Sequence, residues 1–225
     1  MCFSAAGSFA LSGVLGGLGA ASLARNSSKP HRMFAAIPLI FAVQQAAEGV
    51  VWLTIVDGER TAVHRLAVSI FLVVAFVLWP MWLPLTLRRI ETSPTRLRTL
   101  SVLCWAGGLV AAYASFVLFR FRPVAQVVGH SIRYDYATSG DTPRHMLYLV
   151  AYVVPTLVPF FVSTASLART IGLTLVMSLV ASAVVQRDAL ASVWCFFAAL
   201  LSCLILVAVA REQPSRARAS GSLAR

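Results

Sequence analysis

One acidic residue, Glu48, stands in the apolar stretch PLIFAVQQAAEGVVWL, residues 38–53. On a helix, Gln44, Glu48 and Trp52 share one stripe at four-residue spacing, and Gln45 flanks Glu48 three residues before it. A carboxyl group in an apolar environment is costly unless it is protonated, paired or hydrated. Either this stripe is a site for a ligand, an ion or a proton, or Glu48 is a protonated side chain that joins helices through a hydrogen bond to Gln45 or a serine.

Cysteine offers a second chemistry. Cys2 follows the initiator methionine and Cys195 lies near the opposite end of the chain. Their surroundings match no CxxC or other named metal motif, so packing, a disulfide, metal or cofactor ligation and a catalytic thiol all stay open. We predict that the two Cα atoms lie within about 7 Å, the range in which a bridge or a shared ligand can form.

Signatures of common hydrolases are missing from the sequence, which contains neither GxSxG nor HExxH. The four histidines, at positions 31, 64, 130 and 145, fall in predicted connections or at helix ends. Catalysis therefore has no support from sequence motifs.

The elements that position these residues are membrane-spanning helices. Hydrophobic residues make up 59% of the chain and charged residues only 12%, a composition that would leave large apolar patches on a water-soluble domain. Crossing about 30 Å of hydrocarbon takes some 20 residues of helix. Seven stretches qualify, and Glu48 is the one charged residue within them: 3–24, 33–56, 66–87, 99–119, 146–168, 170–186 and 189–210. We predict an all-α, seven-helix membrane protein.

The distribution of Lys and Arg predicts the orientation, since basic connections stay in the cytoplasm. One set of connections (25–32, 88–98, 169 and the tail after 210) holds 12 of the 19 basic residues, and the other set (57–65, 120–145 and 187–188) holds seven. The N-terminus is then outside and the C-terminus inside. The net charge of +11 is explained by topology and by contact with anionic membrane lipids, and it argues against a nucleic-acid partner.

Domain organisation is simple. Residues 1–210 form one predicted transmembrane domain, and the polar, basic tail 211–225 is predicted to be a disordered cytoplasmic end. The first span lacks a basic region before it and is expected to be retained rather than cleaved as a signal peptide. Gly13 and Gly17 form a GxxxG pair that predicts a close helix contact.

The long outer connection 120–145 contains a strand-like alternation. Ile132, Tyr134 and Tyr136 fall on one side of GHSIRYDYA, after the turn residue Gly129. A short β-hairpin here would place His130 or Arg133 above Glu48 as a cap. The alternative is a solvated loop with a surface Arg133–Asp135 pair, and His130 is then an ordinary polar residue rather than a metal ligand.

These placements predict an outward-opening polar pocket. Its floor is Glu48 with Gln44 and Gln45, beside Trp52, and its walls are Ser4, Ser8, Tyr148, Tyr152, Ser192 and Cys195. The first hypothesis is a sensor or transporter that binds a small ligand or ion. The second is a metal- or haem-linked redox component that uses Cys2, Cys195 and His130. The third is a structural subunit of a larger membrane complex or of a homo-oligomer.

Four strings, MCFSAAGSF, PLIFAVQQAAEGVVWL, GHSIRY and SVWCFFAALLS, resemble a family of small bacterial multi-pass membrane proteins of unknown function that begin Met-Cys-Phe-Ser-Ala. The resemblance covers the first two helices, the outer connection and the last helix. It implies a location in the bacterial inner membrane, and it implies no activity, cofactor or catalytic residue.

Overall fold

The computed structural model describes residues 4–25, 29–55, 61–121, 123–129, 131–135, 142–165 and 167–185, together with positions 202, 204, 205 and 207. For residues 142–146 and 185 it describes the backbone alone. Over these ranges the chain is mainly helical. The elements in chain order are α1 (Ala5–Arg25), a 3₁₀ turn (Lys29–His31), α2 (Arg32–Ala35), α3 (Ile37–Ile55), α4 (Ala62–Leu72), a π-helical turn (Val73–Leu78), α5 (Trp79–Ile90), α6 (Pro94–Phe121), β1 (Val124–Val128), β2 (Ser131–Asp135), α7 (Thr142–Val162) and α8 (Ala168–Val185).

Four helical segments are long and apolar enough to cross a membrane: Ala5–Arg25, Lys29–Ile55, Ala62–Ile90 and Pro94–Phe121. They coincide with the first four predicted spans, and the mainly helical fold is confirmed. The fifth and sixth predicted spans correspond to the shorter apolar helices Leu147–Val162 and Ala168–Val184. The seventh, 189–210, is described at four positions only, all helical, of which Ile205 is buried in the core. The count of seven and the orientation stay predictions.

A π-helical turn interrupts the third of these segments. The N–H of Trp79 donates to the carbonyl of Val74, five residues earlier. The next residue, Pro80, has no N–H, so the carbonyl of Ala75 lacks the following bond of that ladder. The Tyr152 hydroxyl on α7 donates to this carbonyl at 2.6 Å. A proline thus frees a buried acceptor, and a tyrosine from another helix satisfies it.

Glycine brings α6 against α5 at one point. A Cβ atom on Gly107 would stand 2.7 Å from the carbonyl carbon of Pro80 and closer still to its oxygen. Pro84 removes the N–H that would bond this carbonyl within the helix. By contrast, Cβ atoms on Gly13 and Gly17 would meet no described atom within 4 Å. The predicted GxxxG contact is therefore wrong for the described part of the chain, because this face of α1 is open.

Buried apolar side chains form two clusters. The larger joins α1, α2, α3, α5, α6, α7 and α8, with Phe160 and Leu100 among its most buried members. The smaller joins α3 and α4 to the hairpin, and Ile132 is fully buried in it. The smaller cluster therefore attaches the hairpin to one end of the bundle, which we call the hairpin end.

Three connections meet at the opposite end, which we call the Glu91 end: the 3₁₀ turn Lys29–His31, residues 91–93 and residues 163–165. The 3₁₀ turn contacts α5, and the backbone N–H of Thr164 donates to the Glu91 carboxylate at 2.8 Å. This end therefore forms a single surface.

Candidate functional site

Three large polar side chains lie within five residues of α3 and are completely buried: Gln44, Gln45 and Glu48, each at 0% exposure. The four-residue spacing of Gln44 and Glu48 places both on the side of α3 that packs on the rest of the bundle. Burial of polar groups is costly unless they are hydrogen-bonded, so this concentration is unusual for a helix of this apolarity.

Hydrogen bonds orient the two amides. Gln45 donates through Nε2 to Oε2 of Glu48 at 3.2 Å. The indole Nε1–H of Trp79 donates to Oε1 of Gln44 at 3.1 Å, and the Trp79 ring stacks on Phe41 with a centroid distance of 4.2 Å. Because an indole N–H can only donate, Trp79 determines which atom of Gln44 is its acceptor. Trp79, the residue that follows the π-helical turn, therefore positions the Gln44 side chain.

The hairpin packs on α3 beside the site. Ala47 and Val51, which precede and follow Glu48 on α3, lie in the same buried cluster as Ile132 and Tyr134 of β2. The Tyr134 ring stacks on Phe71 of α4, with centroids 4.8 Å apart. The predicted hairpin is confirmed, with β1 and β2 antiparallel and Val128 paired with Ser131.

Arg133 does not take the predicted capping position above Glu48. Its Nε is 2.9 Å from an oxygen of Asp135, and its Nη2 donates to Gln126 of the neighbouring strand at 3.3 Å. Ile132 and Tyr134, which precede and follow Arg133, point to the opposite side of the strand and pack on the helices. Arg133 therefore forms the Asp135 surface pair of the alternative interpretation.

The two serines expected in the pocket wall differ. Ser4 is exposed and its hydroxyl accepts the N–H of Gly7 at 3.1 Å, so it caps α1. Ser8 is fully buried, and its oxygen has no hydrogen-bond partner among the described residues. One turn later, Ser12 donates to the carbonyl of Ala42 at 2.8 Å, which shows that this face of α1 packs on α3. Ser8 therefore lies on the α3-facing side, near the level of Gln45.

The two tyrosines gather around the π-helical turn. Tyr148 is partly buried, and its ring lies 6.3 Å from those of Phe76 and Tyr152. The Tyr152 hydroxyl donates to the carbonyl of Ala75, which belongs to the same buried cluster as Ala47. Trp52 packs partly buried on the same cluster.

Cys2, His130, Ser192 and Cys195 lie outside the described residues, as does the tail 211–225. The predicted thiol pair, its disulfide and its metal or haem alternatives stay predictions. Among the residues that the structure does describe, no group of three His, Cys, Asp or Glu side chains could hold a metal ion.

A contact near the hairpin end, between Thr54 and His64, was not predicted from the sequence. The hydroxyl of Thr54 lies 2.8 Å from Nδ1 of His64 and 2.8 Å from the carbonyl of Val50. The Thr54 hydroxyl therefore joins the His64 ring to the last turn of α3. The only sequence signal was Thr61, a good N-cap residue three positions before His64.

Glu91 is a second buried carboxylate, 6% exposed, at the other end of the bundle. Its Oε1 accepts the N–H groups of Thr92 and Ser93, at 3.0 and 3.1 Å, and the hydroxyl of Thr164 at 3.0 Å. Its other oxygen, Oε2, accepts the backbone N–H of Thr164 at 2.8 Å. Burial raises the pKa of Glu91, but the hydrogen bonds from Thr164, Ser93 and Thr92 outweigh burial, and the net pKa is lowered. Glu91 therefore holds two connections together as an ionised group.

Residues 1–220 match the model of a family of unknown function, DUF6629. The chain belongs to this family, which confirms the resemblance to an uncharacterised family; a bacterial origin stays a prediction. No curated protein and no solved structure matches the chain.

Proposed function

We propose that this membrane protein binds a small cation, either an ion or the cationic group of a small ligand, at the polar site around Glu48, as a sensor or transporter. The site opens toward the hairpin end, which in this proposal faces the outside of the bacterial inner membrane. A carboxylate buried in hydrocarbon is stabilised most by a positive charge, which is the reason for assigning a cation.

The observation that supports the proposal is the complete burial of Glu48, Gln44 and Gln45 at the junction of α3 with the π-helical turn and the hairpin. A single buried carboxyl would serve to join helices. Two further buried amides, one oriented by Trp79, form a larger polar layer than one interhelical contact requires.

The hairpin gives this site a movable cover. It attaches to the bundle through β2 side chains such as Ile132 and Tyr134 rather than through a transmembrane helix. Two-stranded hairpins are marginally stable by themselves, so these contacts hold the cover in place. Release of the Tyr134–Phe71 stack would open a route from the hairpin end to the level of Val51, one turn from Glu48.

The competing interpretation is that a protonated Glu48 joins helices only. The Gln45–Glu48 hydrogen bond fits both interpretations. The two are distinguished by whether a carboxyl reagent reaches Glu48 and whether cations compete with that reagent. N,N′-dicyclohexylcarbodiimide reacts with protonated carboxyl groups in apolar surroundings and leaves an N-acylurea that mass spectrometry locates. We expect modification of Glu48 in purified protein, and we expect added Na⁺, K⁺ or NH₄⁺ to slow it relative to choline at equal ionic strength.

Glu91 is an internal control, because it is buried but ionised and should stay unmodified at neutral pH. Glu48→Gln should lose the modification and keep the fold, since an amide has the same shape and retains hydrogen bonding. Modification of Glu48 at one rate in all four salts, or no modification at all, would contradict the proposal.

A further inference from the structure

Basic residues concentrate at the Glu91 end. Eight of them lie in or beside the connections that meet there: Arg25, Lys29, Arg32, Arg88, Arg89, Arg96, Arg98 and Arg169. The three described acidic residues are Glu48 in the bundle, Asp135 on the hairpin and Glu91 itself. In the described ranges, therefore, Glu91 is the one carboxylate available to this cationic surface.

Both carboxylate oxygens of Glu91 already accept hydrogen bonds from neighbouring residues. Its Oε1 accepts from Thr92, Ser93 and the hydroxyl of Thr164, and its Oε2 accepts from the Thr164 backbone. A single carboxylate offsets at most one of the eight positive charges around it. The surface keeps a strong positive potential that attracts anions.

Two of these arginines are each followed, on the same helix face, by a stripe of exposed apolar residues. On α6, Arg98 is exposed, and Val102 and Trp105, four and seven residues further on, are 67% and 79% exposed. This spacing places all three on one face of the helix.

The same pattern recurs on α8. Arg169 is exposed, and Leu173 and Met177, four and eight residues further on, are 58% and 68% exposed. On each helix the arginine lies about 6 Å along the axis from the first apolar residue. At the end of a membrane-spanning helix, a basic side chain in this position reaches the headgroup layer.

We propose that Arg98 and Arg169 bind the phosphate of anionic phospholipids, whose acyl chains lie along the Val102–Trp105 and Leu173–Met177 stripes. The guanidinium fork matches phosphate oxygens in pairs. The combination of a cation with an adjoining apolar stripe is what selects a lipid, because a nucleic acid or an acidic protein would contact the cations and leave the stripes uncovered. This inference is independent of the Glu48 site.

The test measures lipid bound to the full chain by native mass spectrometry, with phosphatidylglycerol and phosphatidylcholine offered at equal amounts. Wild type should retain phosphatidylglycerol preferentially. Each basic residue near an anionic surface contributes roughly a fivefold factor, so Arg98→Gln with Arg169→Gln should lower the preference by about 25-fold. Arg98→Lys with Arg169→Lys keeps both charges and should retain most of the preference.

Arg133→Gln is the matched control, because it removes one positive charge that Asp135 already pairs. It should leave the lipid ratio within about twofold of wild type, against roughly fivefold for Arg98→Gln alone. An unchanged ratio in the double glutamine variant would overturn the proposal, as would an equal loss in Arg133→Gln. Displacement of the lipid by soluble glycerol phosphate, but not by chloride at equal ionic strength, would reassign the surface to free phosphate and overturn the lipid assignment.

Discussion

Gly107→Ala tests the packing of α6 on α5. The added Cβ atom would stand 2.7 Å from the carbonyl carbon of Pro80, whereas carbon atoms in ordinary contact are roughly 3.5 Å apart. The obstacle is backbone between two prolines rather than a flexible side chain, so the helices must separate. Overpacking of this kind costs up to about 3 kcal/mol.

A second effect of Gly107→Ala acts in the opposite direction, because alanine stabilises a helix interior by about 1 kcal/mol relative to glycine. The net loss is then about 2 kcal/mol. Gly108 is a close control, since a Cβ atom there would meet no described atom within 4 Å. Gly108→Ala should therefore stabilise the protein by up to about 1 kcal/mol.

The two alanine variants should differ by about 3 kcal/mol, which for a chain of this size corresponds to a difference in melting temperature of roughly 6–12 °C. Intrinsic tryptophan fluorescence during heating in one detergent measures this difference. A Gly107→Ala protein that melts at or above the temperature of Gly108→Ala would refute the close contact with Pro80.

Three further predictions concern Glu91, Tyr152 and the orientation of the chain in the membrane. Glu91→Gln should lower the free energy of unfolding by roughly 2 kcal/mol at pH 7. Because the pKa of Glu91 is lowered in the folded protein, this stabilisation is present above the unfolded pKa of about 4.5 and is lost as the pH falls through the folded pKa. The stabilities of wild type and variant should therefore converge in acid. Tyr152→Phe should cost about 1–3 kcal/mol in thermal or denaturant unfolding, because it leaves the Ala75 carbonyl unpaired. A membrane-impermeant thiol reagent applied from outside should label a cysteine placed at 130–140 and not one at 92–95; the reverse pattern would contradict the orientation.

Local patterns in the sequence predicted the features that depend on local physics. Apolar runs located the first four spans, since hydropathy over about 20 residues determines membrane insertion. The alternation around Ile132 and Tyr134 located β2. The four-residue spacing of Gln44 and Glu48 placed both on a buried face of α3.

Contacts between distant segments could not be predicted in this way. Trp79 and Gln44 are 35 residues apart, and Tyr152 and Ala75 are 77 apart, so neither hydrogen bond has a local signature. Which glycine meets another helix depends on how the helices pack: Gly19 lies against α3 and Gly107 against α5, whereas the GxxxG pair meets no described helix.

Arg133 shows a related limit. Its position in a strand follows from the alternation, but its choice of Asp135 over a capping role depends on which hairpin face packs on α4. Burial of Ile132 and Tyr134 determines that face, and the flanking arginine then points away.

A density map of the purified protein at about 2 Å resolution would show directly whether Glu48 faces a bound cation. We expect non-protein density within about 3.5 Å of the Glu48 carboxylate. In Glu48→Gln this density should be lost, while Gln44 and Trp79 keep their hydrogen bond. Protein atoms alone around both Glu48 oxygens, with no density beside them in either protein, would contradict it.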